Sequence, residues 1–334
     1  MPCVQENQVQ IIMQQLQNVP TLADIRATHA AIASFIHRTP VLTCSTINNM
    51  TGAELYFKCE NFQKVGAFKM RGAASAALRL SAEQAARGLA THSSGNHAQA
   101  VARAAQQLGV PAYIVMPSNA PAIKQAATRG YGAEITFCAP TVEARETTLQ
   151  EVVARTGATF IHPYNDYNVI AGQATAALEL LEDTASRPLH IVMSPVGGGG
   201  LMSGTALSTR YLAPGAQVFG AEPQAVDDAW RSLHSGAIVT NTTTQTIADG
   251  LRTNLGEKTF DIIRRHVDEI YTVSEQAIID AMRLVWERMK IIIEPSCAVP
   301  LAAVFTYPDV FKGKRVGIIL TGGNVDLDEL PWGG

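Results

Sequence analysis

The segment His190-Ile-Val-Met-Ser-Pro-Val-Gly-Gly-Gly-Gly-Leu-Met-Ser-Gly204 decides the fold. Its first half is a short apolar run, the mark of a buried strand, and its second half opens a helical pattern. Four consecutive glycines between them let backbone N–H groups turn inward, where the positive end of the next helix favours an anion. The stretch lacks the Lys-Ser/Thr of a P-loop and the spaced G-x-G-x-x-G of a dinucleotide site, so it suits a single terminal phosphate. Without a ligand it would be only a tight strand-to-helix turn.

Outward from this segment the same grammar repeats. Toward the C-terminus, Gln217-Val-Phe-Gly-Ala221, Glu269-Ile-Tyr-Thr-Val273 and Arg315-Val-Gly-Ile-Ile-Leu320 read as strands with helical patterns between them. Upstream, Gly88–His92, Ala112–Met116, Glu134–Phe137 and Thr159–Ile161 alternate with helical stretches over about 96–108, through Arg129, and 142–155. Strand–helix–strand repeats imply parallel pairing with right-handed crossovers. Two such series predict an α/β protein of two lobes, a small one over 79–165 inserted into a large one built from 1–78 and 166–334. A cleft between the lobes is where a ligand should sit, because open α/β sheets bind at the carboxyl ends of their strands.

The bulk properties fit an ordinary globular protein. The chain has 334 residues, 47% of them apolar, and a net charge of −3, which argues against nucleic-acid or anionic-membrane binding. Met1–Asn7 lacks the layout of a signal peptide, and no apolar run reaches the roughly 18 residues of a membrane span. Five unevenly spaced cysteines (3, 44, 59, 138 and 297) read as reduced, mostly buried thiols, so the expected location is cytoplasmic.

Three further segments carry chemical groups. Ser93-Ser-Gly-Asn-His97 joins a strand to a helix and could hold a carboxylate, although serine and asparagine are also ordinary helix caps. Gly66-Ala-Phe-Lys-Met-Arg-Gly72 sets a lysine between an aromatic residue and an arginine; partial desolvation would make its amine a competent imine former. Thr321-Gly-Gly-Asn-Val325 puts a hydroxyl at the carboxyl end of the last strand.

In this order, the segments resemble the fold type II family of pyridoxal-phosphate (PLP) enzymes, a tryptophan synthase β-like fold, over nearly the whole chain. The nearest likeness is to serine/threonine dehydratases and serine racemases. It rests on Phe62-Gln-Lys-Val-Gly-Ala-Phe-Lys-Met-Arg-Gly-Ala73, Val169-Ile-Ala-Gly-Gln173, Ile247-Ala-Asp-Gly250, Trp286-Glu-Arg-Met-Lys290 and Glu294-Pro-Ser296.

The resemblance implies roles residue by residue. Lys69 carries the cofactor and acts as the base. Phe68 packs near its ring; Gly197, Gly198, Gly199, Gly200 and the Leu201 amide hold its phosphate. Asn96 bonds its phenolic oxygen, Gly250 lets backbone approach it, and Thr321 bonds its pyridine nitrogen. Ser93, Ser94, Asn96 and His97 grip the substrate carboxylate. Ser94 also occupies the position from which racemases exchange the α-proton. Glu222, the Val226 carbonyl and Asp228 match a site for Mg²⁺ or Ca²⁺, cations that take oxygen ligands. The implied reaction is dehydration and deamination of L-serine or L-threonine to a 2-oxo acid and ammonia, with serine racemisation beside it, by a homodimer. Alternatives are racemisation as the main activity, or dehydration of threo-3-hydroxyaspartate. The last would need an extra cation, for which Arg252 and His162 are candidates, yet such relatives often read Ala-Asp-Gly-Ala-Gln where this chain has Ala248-Asp-Gly-Leu-Arg252.

Overall fold

The computed structural model describes residues 13–120 and 122–332. Met1–Asn7 and Cys3 lie outside them. Among the described residues, ten strands form two sheets: β1 (Val41–Leu42), β2 (Glu54–Cys59), β3 (Leu89–His92), β4 (Ala112–Pro117), β5 (Glu134–Cys138), β6 (Thr159–Phe160), β7 (Ile191–Pro195), β8 (Gln217–Pro223), β9 (Glu269–Val273) and β10 (Arg315–Leu320). The larger sheet has the order β1-β2-β10-β7-β8-β9 and is parallel except for the β1–β2 pair. The smaller sheet, β5-β4-β3-β6, is parallel throughout.

Strand order reverses once in each sheet. In the larger, the chain runs outward from β7 through β8 to β9, and β10 returns on the other side of β7. In the smaller, it runs from β3 through β4 to β5, and β6 returns beside β3. Connections diverge at such points and leave a crevice beyond the strand ends. The glycine segment follows β7, Thr321 follows β10, and Ser93–His97 follows β3.

One buried helix, Tyr167–Asp183, ties these segments together. Asp166 caps it, its carboxylate accepting from the Asn168 and Val169 N–H groups at 2.6 and 3.4 Å. Small residues on its faces allow close approach. A Cβ on Gly172 would lie 2.4 Å from the Arg71 carbonyl oxygen, and one on Gly204 would lie 2.5 Å from the Ala174 nitrogen. The helices Lys69–Ala77 and Gly200–Leu212 are thus pressed against a common partner, one bringing the lysine and the other the glycine loop.

Charges inside this packing are paired. Arg71 is buried and donates from Nε to Glu60 at 2.7 Å and from Nη2 to Glu179 at 2.8 Å; Lys58, also buried, reaches Glu179 at 2.8 Å. Two buried cations therefore face two buried carboxylates, which is how such groups survive desolvation. Cys59, Cys138 and Cys297 are buried and Cys44 is half-buried, all as free thiols. No helix of the described residues is long and apolar enough to cross a membrane.

Candidate active site

Lys69 begins its helix where two chain segments are stitched together. The Phe68 N–H donates to the Thr321 carbonyl at 3.0 Å, and Ala67 pairs with Gly322. This fixes the lysine beside the end of β10. Its Nζ donates to the Pro163 carbonyl at 2.9 Å and stands 5.1 Å from the centre of the Phe68 ring. Some solvent access remains, yet surrounding protein desolvates the amine and lowers its pKa to about 8, opposed by the charge of Glu294. An ordinary surface lysine would lie in its usual range and pair with carboxylates. This one has a neutral carbonyl partner and can be emptied of its proton near neutrality.

The glycine loop is built for an anion. Gly199 caps the helix Gly200–Leu212 with φ +84°, a left-handed conformation that suits glycine. Neighbours crowd the loop from several sides. A Cβ on Gly198 would lie 2.3 Å from Tyr164 Cδ1, and one on Gly197 would lie 3.1 Å from the Gly250 carbonyl oxygen. Thr259 holds the loop from below, its hydroxyl donating to the Gly198 carbonyl at 2.9 Å. The first N–H groups of the helix have no intrahelical partner and remain for a ligand. Gly250 itself is anchored by its N–H to Ser296 Oγ at 3.0 Å.

Beyond β3, the helix Asn96–Leu108 starts at the opposite wall, with no side chain of its own capping it. Ser93 and Ser94 are half-buried there. The His97 ring turns away from this end. It is buried, Nε2 lies 3.0 Å from the Ile161 carbonyl oxygen, and burial lowers its pKa to about 3. His97 can therefore serve a carboxylate through its main-chain N–H at the helix start, while its side chain ties this helix to the residue after β6.

Asn96 shows what the sequence reading missed. Its amide nitrogen donates to both oxygens of Glu294, at 2.9 and 3.1 Å, and its amide oxygen accepts from Asn324 at 2.8 Å. Burial, then Asp249, raises the Glu294 carboxyl to about 7, although the Asn96 hydrogen bond lowers it. The signal lay in Ile291-Ile-Ile-Glu294, a carboxylate at the end of an apolar run. Thr321, also buried, makes no side-chain hydrogen bond among the described residues, which suits a hydroxyl waiting for a ring nitrogen. A phosphate cradle, a desolvated amine and a spare hydroxyl within one crevice fit PLP.

Glu222 and Asp228 are both buried. Glu222 accepts from the Trp230 N–H at 2.8 Å; Asp228 accepts from Asn241 at 2.6 Å and the Leu255 N–H at 3.0 Å. Burial and the neighbouring Asp228 push the Glu222 carboxyl well up, and burial raises Asp228 to about 6. Two carboxylates held out of water at close range are suited to a hard divalent cation. No group of three or more His, Cys, Asp or Glu side chains able to hold a metal occurs among the described residues, so a main-chain carbonyl or water would have to complete the set.

The chain is similar to known proteins over most of its length. A family model described as pyridoxal-phosphate dependent enzyme matches residues 32–322. The chain is 50% identical to the β-hydroxyaspartate dehydratase of Paracoccus denitrificans, covering 94% of this chain and 99% of that protein. It is also 50% identical to a serine racemase of Dictyostelium discoideum, covering 93% and 96%. The crystal structure of a threonine deaminase from T.th. superposes with a TM-score of 0.88 at 45% identity, covering 92% of this chain and 99% of that one.

Proposed function

Since the chain belongs to the pyridoxal-phosphate dependent enzymes, we propose that it eliminates the β-hydroxyl of a small β-hydroxy amino acid, giving a 2-oxo acid and ammonia, with α-proton exchange as its companion activity. L-Serine, L-threonine and threo-3-hydroxyaspartate are the substrates its relatives' names point to. The observation that carries the reading is Lys69: a desolvated amine with a neutral carbonyl partner, between a phosphate cradle and a helix start.

Bound PLP supplies an electron sink that acidifies the α-proton of an amino acid. The residues of this chain do the rest. Gly197 to Gly200, with the Leu201 amide, would hold the phosphate, and Thr321 would bond the ring nitrogen. Phe68 and Gly250 would border the ring, and the Asn96 amide would bond the phenolic oxygen. Ser93, Ser94 and the main-chain N–H groups of Asn96 and His97 fix the substrate carboxylate, which sets the α-proton toward Lys69. The Lys69 amine takes that proton as general base. Ser94, half-buried in the same loop, would return a proton from the other side, giving racemisation.

Three parts of the proposal concern the whole chain. The small lobe spans 79–165 and the large one 1–78 and 166–334. Glu222, the Val226 carbonyl and Asp228 bind Mg²⁺ or Ca²⁺ in a structural or activating role. The active form is a cytoplasmic homodimer. Steady-state assays with PLP and Mg²⁺ on L-serine, D-serine, L-threonine and L-threo-3-hydroxyaspartate, with Lys69→Ala as control, test the activity. Oxo acid that disappears in the control supports it; turnover that survives in the control rules the mechanism out.

A further inference from the structure

β6 ends at Phe160, beside β3, at the point where the smaller sheet reverses its strand order. Adjacent strands lie about 4.8 Å apart, so the loops leaving β3 and β6 share one crevice. The β3 loop is the carboxylate end of the site described above. The β6 loop, His162-Pro-Tyr-Asn165, borders the lysine, because the Pro163 carbonyl is the acceptor for Lys69 Nζ.

His162 is fixed within that loop. Its Nδ1 accepts the Tyr164 N–H at 3.2 Å and the Asn165 N–H at 2.9 Å. An acceptor at Nδ1 puts the ring proton on Nε2. The ring is held between Phe160, 5.5 Å away and tilted, and the edge-on Tyr164 ring at 4.8 Å. Nε2 makes no hydrogen bond among the described residues and is not sealed from solvent. Burial, with His92 and Lys69 nearby, lowers the imidazole pKa to about 4, so the ring stays neutral at working pH. It is a rigid N–H donor and not the extra cation considered from sequence. Arg252, the other candidate, spends Nε and Nη2 on the Thr246 carbonyl at 3.2 and 2.6 Å.

We propose that the His162 Nε2–H group reads the substituent on the substrate's β-carbon and selects a second carboxylate, that of a 3-hydroxyaspartate, over the hydrogen of serine. This rests on the function proposed above. With the α-carboxylate held at the β3 loop and the α-carbon at Lys69, the β-substituent is the part of the substrate left for the β6 loop. A desolvated donor facing a carboxylate discriminates against a substrate without that acceptor, which leaves the donor unpaired.

Two substitutions separate this role from a merely structural one. In His162→Asn, Oδ1 takes the place of Nδ1, keeps both loop hydrogen bonds and removes the distal donor. In His162→Gln, the amide nitrogen reaches the Nε2 position but the loop acceptor is lost. Each holoenzyme is assayed on L-threo-3-hydroxyaspartate and L-serine, and its binding of succinate, an unreactive dicarboxylate, is titrated by fluorescence. Expected for His162→Asn is a fall of roughly ten- to a hundredfold in the ratio of kcat/KM for hydroxyaspartate over serine, carried by KM, and an equal weakening of succinate. His162→Gln should recover much of both. A ratio and a succinate affinity that stay at wild-type values in His162→Asn, or that fall equally in both variants, overturn the inference. A wild-type enzyme silent on these two and also on L-threonine and D-serine overturns the proposed function instead, and the succinate titration still decides the role of His162.

Discussion

Arg71 lies two positions beyond Lys69 and anchors the helix that carries it. Its guanidinium joins Glu60 and Glu179, and all three are buried. Removing the cation leaves Glu60 with no cationic partner among the described residues and Glu179 with Lys58 and His29, a loss of about 3–5 kcal/mol for a broken buried pair. We expect Arg71→Leu to destabilise the protein by at least that order in urea unfolding, and to lower cofactor retention by loosening the start of the helix. Glu294 makes a pH-dependent contribution. Its carboxyl titrates near 7 in the folded protein, above the usual carboxylate range, so the protonated form is favoured. The stability it contributes is present below about 4.5 and is lost as pH rises through about 7. In the cofactor-free protein, Glu294→Gln should therefore flatten the decline of Tm between about pH 4.5 and 7. Lys69, the glycines and Thr321 were legible in the sequence because their neighbours along the chain carry the signal. The contacts of Glu294 and Asn324 were not, because their partner, Asn96, comes from another segment.

At the scale of elements, the loops at the carboxyl ends of four strands make the site. β7, β10, β3 and β6 end in the glycine loop, Thr321, the Ser93 loop and the His162 loop, and strand order makes them meet. The alternation of strands and helices was readable from periodicity. Strand order was not, since it depends on which edges pair in space. β2 escaped notice as well. Glu54-Leu-Tyr-Phe-Lys-Cys59 carries a charge near each end, and only the fold shows that Lys58 is buried and paired with Glu179. The glycine loop admits little change. In Gly198→Ala the new methyl meets the Tyr164 ring, so PLP affinity, followed by absorbance, should fall about tenfold or more through displaced loop atoms. The pair Glu222/Asp228 predicts a second effect. At about pH 7.5, Mg²⁺ at roughly a hundredfold excess over its Kd should raise Tm by about 3 °C, and Asp228→Asn should abolish the rise.

For the molecule as a whole, two sheets close on one crevice, and few polar contacts cross it. Asn96 of the smaller-sheet segment meets Glu294, Lys69 meets Pro163, and Lys124 pairs with Asp249. Cofactor and substrate would therefore bridge both halves of the molecule. Light scattering should give about twice the 35.7 kDa of the chain if the expected homodimer forms. The central claim is that Lys69 carries the cofactor, and borohydride reduction of the PLP-loaded enzyme with subsequent peptide mapping tests it most directly. The account predicts one pyridoxyl-modified peptide, containing Lys69, and none from Lys69→Ala. Modification of another lysine in the wild-type enzyme, or no adduct at all, would contradict it.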